Sequence, residues 1–240
     1  MNREVIPNLS VDCALFSFDG NQIKILLRQE KILLKGKTYN KYKLPGDHPF
    51  MNEIIENTAE RILFEQTGAR DIFMKQFWVF SSLDRLKRNE VDFAWIKNRG
   101  LISERVITVG FYSFVKKGVM ENQHLIPEAT WVNIHDVKNL IFDHEEILQK
   151  AREQIKKDIE HQPLVFELLP AKFTLAQLHN IYELLLEKKL DRRNFRRKVL
   201  LAMPYVKELS EKQKGVAHKP AKFYAFDKKI YDKHIIHKTS

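Results

Sequence analysis

The 240-residue chain has one cysteine, eight glycines, eight prolines and no run of eighteen or more apolar residues. A lone Cys13 cannot close an internal disulfide, which excludes a disulfide-stapled scaffold. Set in the alternating stretch VDCALFSF, it reads as an inert core thiol rather than a nucleophile. Without a long apolar run, no transmembrane helix and no membrane partner are expected. The N-terminal MNREVIPNLSVDCALF lacks a basic region followed by an apolar stretch and a small-residue cleavage site, so no secretory signal is expected and a cytoplasmic location follows. No low-complexity run is present, and the 44% apolar and 30% charged fractions are ordinary for a globular chain. No Cys or His residues stand at metal-ligand spacing, so neither a zinc-type metal site nor a cofactor is expected.

What the chain does have is a lopsided charge. Residues 151–240 hold 20 Lys and Arg against 11 Asp and Glu, a net +9, whereas residues 1–150 hold 21 against 20, a net +1. Nearly all of the formal +10 sits in the last third. Such asymmetry points to nucleic acid or an anionic surface. The competing reading is a solvated basic face, and the clustering argues against it.

Periodicity organises the first part. VDCALFSF (11–18) and residues 22–29 read as strands joined by the turn Asp19-Gly20-Asn21. The Lys-rich KGKTYNKYK leads to a turn at Leu44-Pro45-Gly46, then a helix over about 53–67 that Gly68 stops. DIFMKQFWVFSS and RVITVGFYSFV are strand-like, and the polar stretch between them reads as a long loop or a short extra element. Ile147, Leu148, Ala151 and Ile155 then recur at helical spacing, with Asp143 as the N-cap. The expected organisation is a mixed α/β (α+β) sandwich over 1–145, a linker helix over 146–162 bridging onward, and a second domain over 163–240.

The helix around residue 60 carries a spaced set of polar groups. Glu53, Arg61, Leu63, Glu65 and Gly68 in DHPFMNEIIENTAERILFEQTGA resemble the Nudix box, G-x5-E-x7-R-E-U-x-E-E-x-G-U, the signature of phosphate-anhydride-cleaving enzymes. Asp47 stands for the opening Gly, Ile62 for the Glu after Arg, and Gln66 for the last Glu. Positions 62, 65 and 66 share one helical face. Three carboxylates there would gather Mg²⁺ through anionic oxygens and activate water. This chain keeps one of the three, so a non-catalytic homologue without bound metal is expected. Ile55, Ala59 and Leu63 form a core-facing stripe on the same helix.

The second domain reads as helix, turn, helix and two short strands around a basic loop. Thr174 caps a helix with Leu175, Leu178, Ile181, Tyr182 and Leu185 on one face. Asp191 caps RRNFRRKVLLA, in which Phe195 and Val199 face the core. Arg192, Arg193, Arg196, Arg197 and Lys198 then crowd the remaining surface. Arg can read guanine and Asn194 adenine in a major groove, and a helix-turn-helix places its second helix there. The DNA-contact candidates are these six with Thr174, Gln177, Lys212, Lys214, His218, Lys219 and Lys222, the wing lysines touching phosphate. His218 reads as a phosphate contact rather than a metal ligand. The competing reading is an amphipathic helix beside a plain β-hairpin.

LPAKFTL, LHNIYE, LDRRNFRRKVL, KPAKFYAFD and IFDHEEILQKARE, with the altered box, closely resemble the Nudix-related bacterial transcriptional regulators. The likeness spans about residues 8–230. It implies a Nudix-like sensor followed by a winged helix-turn-helix, a homodimer, a double-stranded DNA operator, and control of NAD metabolism or pentose utilisation. It also implies a small-molecule effector, either a sugar or a nucleotide sugar such as ADP-ribose. The chain departs from the pattern at GVAHKP and at 85–104, which bear on operator and effector choice. The expected pocket holds Glu53, Arg61, Glu65, Gln66 and the post-strand Asp84 and Arg85. For Arg61 and Glu65 the alternative is an i,i+4 surface ion pair, and for Asp84 and Arg85 a plain turn. The rival functions are an active Nudix hydrolase drawing carboxylates from Glu56, Glu60 or the 104–128 region, and a non-catalytic scaffold binding RNA or an acidic protein.

Overall fold

The structure is a computed structural model and describes residues 4–86, 88–98, 105–120, 125–213, 215 and 220–232. In chain order these form β1 (Leu9–Phe18), β2 (Ile23–Leu34), β3 (Lys37–Lys43), β4 (Gly46–Asp47), α1 (Ile55–Thr67), β5 (Met74–Phe80), α2 (Glu90–Asn98), β6 (Ile107–Val115), α3 (Lys117–Met120), β7 (Ala129–Asn133) and α4 (His144–Asp158). After a 3₁₀ turn at Leu164–Leu168 follow α5 (Leu175–Leu186), α6 (Arg192–Ala202), β8 (Val206–Lys212) and β9 (Lys222–Phe226). The chain divides into two units, Met1–Glu160 and His161–Ser240.

The first unit is one mixed sheet in the order β3-β2-β1-β6-β5, with β4 added to β1 and β7 to β2. Parallel β1 and β6 run in register from Leu9↔Ile107 to Ser17↔Val115 at its centre. Residues 11–18 are all buried there, as expected of a strand covered on both faces. Alternation along β6 sends Val109, Phe111 and Val115 against Ala59, Ile62 and Leu63 of α1. Tyr112 points the other way, and its hydroxyl donates to Asp158 of α4 at 2.6 Å. The sheet is thus held between α1 and α4.

Two expectations change, and one open alternative is decided in favour of a short extra element. The helix read as a bridge packs on the sheet of the first unit, because Ile147, Ala151 and Ile155 form a fully buried stripe. KGKTYNKYK is a strand, not a lead-in. It pairs with β2 from Leu34↔Lys37 to Arg28↔Lys43, around a Lys35-Gly36 turn in which both residues have positive φ. The segment after β5 contains α2, which buries Ala94 and Ile96 against Ile32, Val106 and Ile141. Gly68 ends α1 as expected: at φ 68° its N–H donates to the Phe64 carbonyl at 2.7 Å.

In the second unit Thr174 and Gln177 form a reciprocal capping box at the start of α5. The Asp191 side chain accepts from the Asn194 N–H at 2.8 Å and starts α6. Phe195 seats α6 on α5 through edge contacts with His179 (5.0 Å) and Tyr182 (5.3 Å). Strands β8 and β9 pair antiparallel, and Phe173 bridges Tyr224 beside them.

Candidate functional site

Four residues before α1, Asp47, His48, Phe50 and Glu53, fold back onto its Arg61. Arg61 donates through Nε to Glu53 Oε1 (2.9 Å), through Nη2 to Glu53 Oε2 (3.0 Å) and the His48 carbonyl (2.9 Å), and through Nη1 to Asp47 Oδ2 (2.7 Å). Glu65 stands 3.5 Å from the same Nη1, and the Phe50 ring lies under the guanidinium at 4.2 Å. Glu53 also accepts from the Phe50 N–H and the Thr58 hydroxyl. Burial disfavours both charges, yet the pairing outweighs it: Glu53 is held below the usual carboxylate range and Arg61 above its own. Glu53 and Arg61, expected to hold a ligand, are paired with each other and, with Asp47 and the His48 carbonyl, clamp residues 47–53 onto the helix. The i,i+4 reading of Arg61 and Glu65 describes one contact of that clamp.

A cavity of about 260 Å³ opens beside the clamp. It is lined by Glu65, Gln66 and Ile62 from α1, by Asp12, Arg28, Lys43, Asp47 and His48 from the sheet and its loops, and by Arg85, Trp95, Phe142 and His144. Of the six expected pocket residues, Glu65, Gln66 and Arg85 line it; Glu53, Arg61 and Asp84 do not. Asp84 is exposed and accepts from the Ser82 hydroxyl at 2.5 Å, as a plain turn would have it.

The cavity floor is a buried charge network. Arg85 holds Asp143 with two bonds of 2.9 Å and reaches Asp12 at 3.5 Å. This explains why Asp143, at the N-cap position of α4, makes no capping bond. Asp12 further accepts from the Thr108 hydroxyl at 2.7 Å. Burial opposes its charge, but His144, Arg85 and Thr108 together keep its pKa below the usual range. At Asp143 burial wins and the pKa rises. His144 Nδ1 accepts the Leu44 N–H at 2.9 Å, and burial lowers its pKa to about 4. Gly46 is required here, since a Cβ would sit 2.0 Å from Asp12 Oδ1.

The residues do not fit the metal cluster of a Nudix enzyme. Ile62 is 2% exposed within the core cluster, Gln66 offers a neutral amide, and the carboxylate of Glu65 is half exposed beside Arg61. Glu56 and Glu60 point to solvent and do not line the cavity. Among the described residues no three His, Cys, Asp or Glu side chains gather in a way that would hold a metal.

In the second unit α6 presents Arg192, Arg193, Asn194, Arg196, Arg197 and Lys198, all exposed, while Phe195 and Val199 are buried. Arg197 donates to the Asn194 side chain at 3.3 Å. Thr174 is 3% exposed and spent on the capping box, so its place among the DNA contacts is corrected to a helix-starting role. Gln177 is exposed beside it. Lys212 is exposed at the end of β8, and Lys222 is exposed but ion-paired to Glu208. Lys214, His218 and Lys219 lie outside the described residues.

Asp12, Arg28, Lys43, Trp95 and His144 were missed. They come from five separate segments, and only a charged Asp12 inside an otherwise apolar strand hinted at a polar cavity.

A sandwich whose box helix borders a polar cavity, followed by a capped helix-turn-helix with a β-hairpin, defines a sensor-like α/β unit joined to a winged helix. Comparison with known proteins agrees. The model described as NUDIX domain matches residues 7–152, and that of the NrtR DNA-binding winged helix domain matches residues 165–226. The chain belongs to the Nudix family and carries an NrtR-type winged helix DNA-binding domain. It is 28% identical to the ADPR responsive transcriptional repressor NtrR of Acinetobacter baylyi, over 94% of this chain and 84% of that protein. Its fold is shared by Shewanella oneidensis NrtR, solved with a 27mer DNA, at a TM-score of 0.70 and 24% identity over 91% of this chain and 93% of that one. A MutT/nudix family protein from Enterococcus faecalis is similar at a TM-score of 0.66 and 25% identity, over 92% and 88% of the two chains.

Proposed function

We propose that the chain is a ligand-responsive, DNA-binding transcriptional regulator whose Nudix unit senses rather than hydrolyses. The observation carrying this reading is the substitution of the box helix: where metal-binding carboxylates are called for, Ile62 is packed into the core and Gln66 presents an amide. A ligand can then remain bound and report. The effector is a sugar or a nucleotide sugar such as ADP-ribose, the ligand named for the Acinetobacter baylyi relative. It occupies the cavity lined by Glu65, Gln66 and Arg85.

DNA is contacted by the exposed α6 residues Arg192, Arg193, Asn194, Arg196, Arg197 and Lys198, by Gln177, and by the wing, including Lys212 and Lys222. Lys214, His218 and Lys219, which fall between β8 and β9 in the sequence, are assigned to the same role. The protein acts as a homodimer on an operator whose half-sites lie one helical turn, or a multiple of it, apart. Communication runs along the chain. Phe142 and His144 line the cavity at the start of α4, and α4 ends at Asp158, just before the second unit begins at His161. An effector shifts DNA affinity only by its differential affinity for the two arrangements.

The test is a pair of assays on the full chain. Gel shifts on its own upstream DNA, with and without ADP-ribose, should show sequence-selective binding that ligand changes by about fivefold or more. Incubation with Mg²⁺ and nucleotide sugars should give no turnover. Robust hydrolysis that disappears in Glu65→Gln would replace this reading with that of a hydrolase carrying a basic domain. Binding to RNA but to no specific DNA would favour the scaffold.

A further inference from the structure

Two buried polar atoms that line the cavity make no hydrogen bond among the described residues. Gln66 is 6% exposed, and its Oε1 has no hydrogen-bond donor among the described residues. Arg28, from β2, lines the same cavity, and its buried Nε has no acceptor among the described residues. The Glu30 carboxylate stands 3.7 Å from this Nε, an ion-pair distance too long for a hydrogen bond. The other charged groups of the cavity are engaged: Arg85 with Asp143, Asp47 and Glu65 with Arg61, Asp12 with Thr108 and Arg85, and Lys43 with Glu30 at 3.9 Å and with the Trp95 ring. A buried polar group without a hydrogen bond is costly, and both of these residues line the one cavity.

We infer that Arg28 is an anion-binding residue of this cavity and Gln66 a hydroxyl acceptor, so that the cavity takes one phosphorylated sugar unit. The inference rests on the cavity being the effector site. A guanidinium Nε–H with further donors on the same fork suits a phosphate oxygen pair. An amide oxygen accepts from a sugar hydroxyl. Size sets the limit on what is enclosed. At about 260 Å³ the cavity is smaller than the roughly 300–1,000 Å³ that encloses a drug-sized molecule. It therefore holds a phosphosugar, and if the effector is a nucleotide sugar the nucleoside part lies outside it. Free sugar phosphate and the phosphosugar end of a nucleotide sugar share this chemistry.

Calorimetric titration of the full chain with ribose, ribose 5-phosphate and ADP-ribose separates these sources. Ribose 5-phosphate should bind at least about 100-fold more tightly than ribose, and within about tenfold of ADP-ribose. Arg28→Met should reduce the ratio of ribose 5-phosphate to ribose affinity at least tenfold, and Arg28→Lys should recover part of it. A ratio measured within one variant is insensitive to partial loss of folded protein. Equal binding of ribose and ribose 5-phosphate, an unchanged ratio in Arg28→Met, or binding of none of the three overturns the inference. So does tight binding of ADP-ribose with none of ribose 5-phosphate, which would assign the recognition to the nucleoside. In every one of these cases DNA binding by the second unit stands or falls separately in the gel shift.

Discussion

A methyl group at residue 46 has nowhere to go. Its Cβ would lie 2.0 Å from Asp12 Oδ1 and 2.9 Å from the Val11 carbonyl, and Asp12 is held by Thr108 and Arg85. Gly46→Ala should cost about 1–3 kcal/mol, the usual range for overpacking. A urea midpoint equal to wild type would show that Asp12 swings aside freely. The neighbouring His144 makes a pH prediction with a definite sign. Its folded pKa is about 4, against 6.5 unfolded, because burial disfavours the imidazolium more than Asp12 favours it, with Lys43 and Arg85 adding to the depression. Between about pH 6.5 and 4 the unfolded chain therefore binds the proton and the folded chain does not. Stability falls as pH falls through that window. From pH 7 to 5 the loss from this group is about 2 kcal/mol at 1.36 kcal/mol per unit. His144→Gln can still accept from the Leu44 N–H but does not titrate. Thermal melts of the variant should be correspondingly flatter over this range; equal slopes in the two proteins would remove His144 from the account.

Helix α6 depends on its cap. Asp191 accepts from the Asn194 N–H at 2.8 Å, and the helix behind it buries only Phe195 and Val199. Asp191→Ala should cost about 0.5–2 kcal/mol, while Asp191→Ser should be nearly neutral, because serine caps almost as well. Chemical unfolding followed by far-UV circular dichroism checks this, and identical curves for the alanine and serine variants would deny the cap a role. Features of this kind were legible in the sequence: Gly68, Thr174 and Asp191 act on their own next few residues, and α5 and α6 repeat apolar groups at helical spacing. Strand β3 was not, because it is a polar edge strand whose residues 37–42 are incompletely buried, so it carries no apolar alternation. The cavity was least legible. Arg85 meets Asp143 across 58 residues, and Arg28 enters from a different strand. The box motif pointed to a helix that borders the cavity, but not to the pairing of its Glu53 and Arg61, since helical spacing shows a shared face and not the loop folding back over it. Asp143 illustrates the same limit: its position at a helix start was readable, its commitment to Arg85 was not.

At the scale of the molecule, charge separates the two units as the fold does. Residues 151–240 carry a net +9 and residues 1–150 a net +1, and α6 exposes five Arg and Lys side chains around Asn194. Binding to DNA should therefore be driven through the second unit by release of counterions. For roughly 6–10 phosphate contacts, affinity should fall by about 10³–10⁵ between roughly 50 and 200 mM salt. The slope also sorts the individual arginines. A residue that reads a base loses about 1–3 kcal/mol on its own sequence and relaxes preference at that position when replaced. One that touches phosphate weakens every sequence alike and lowers the salt slope by about 1. Arg193, near the start of the helix that a helix-turn-helix places in the major groove, is expected in the first class. Titrating wild type and Arg193→Ala against the upstream operator and a scrambled duplex at several salt concentrations distinguishes the two. A variant that weakens both duplexes equally and flattens the slope would move Arg193 to the phosphate class. A wild-type slope near zero would mean that the basic surface is not used on DNA at all.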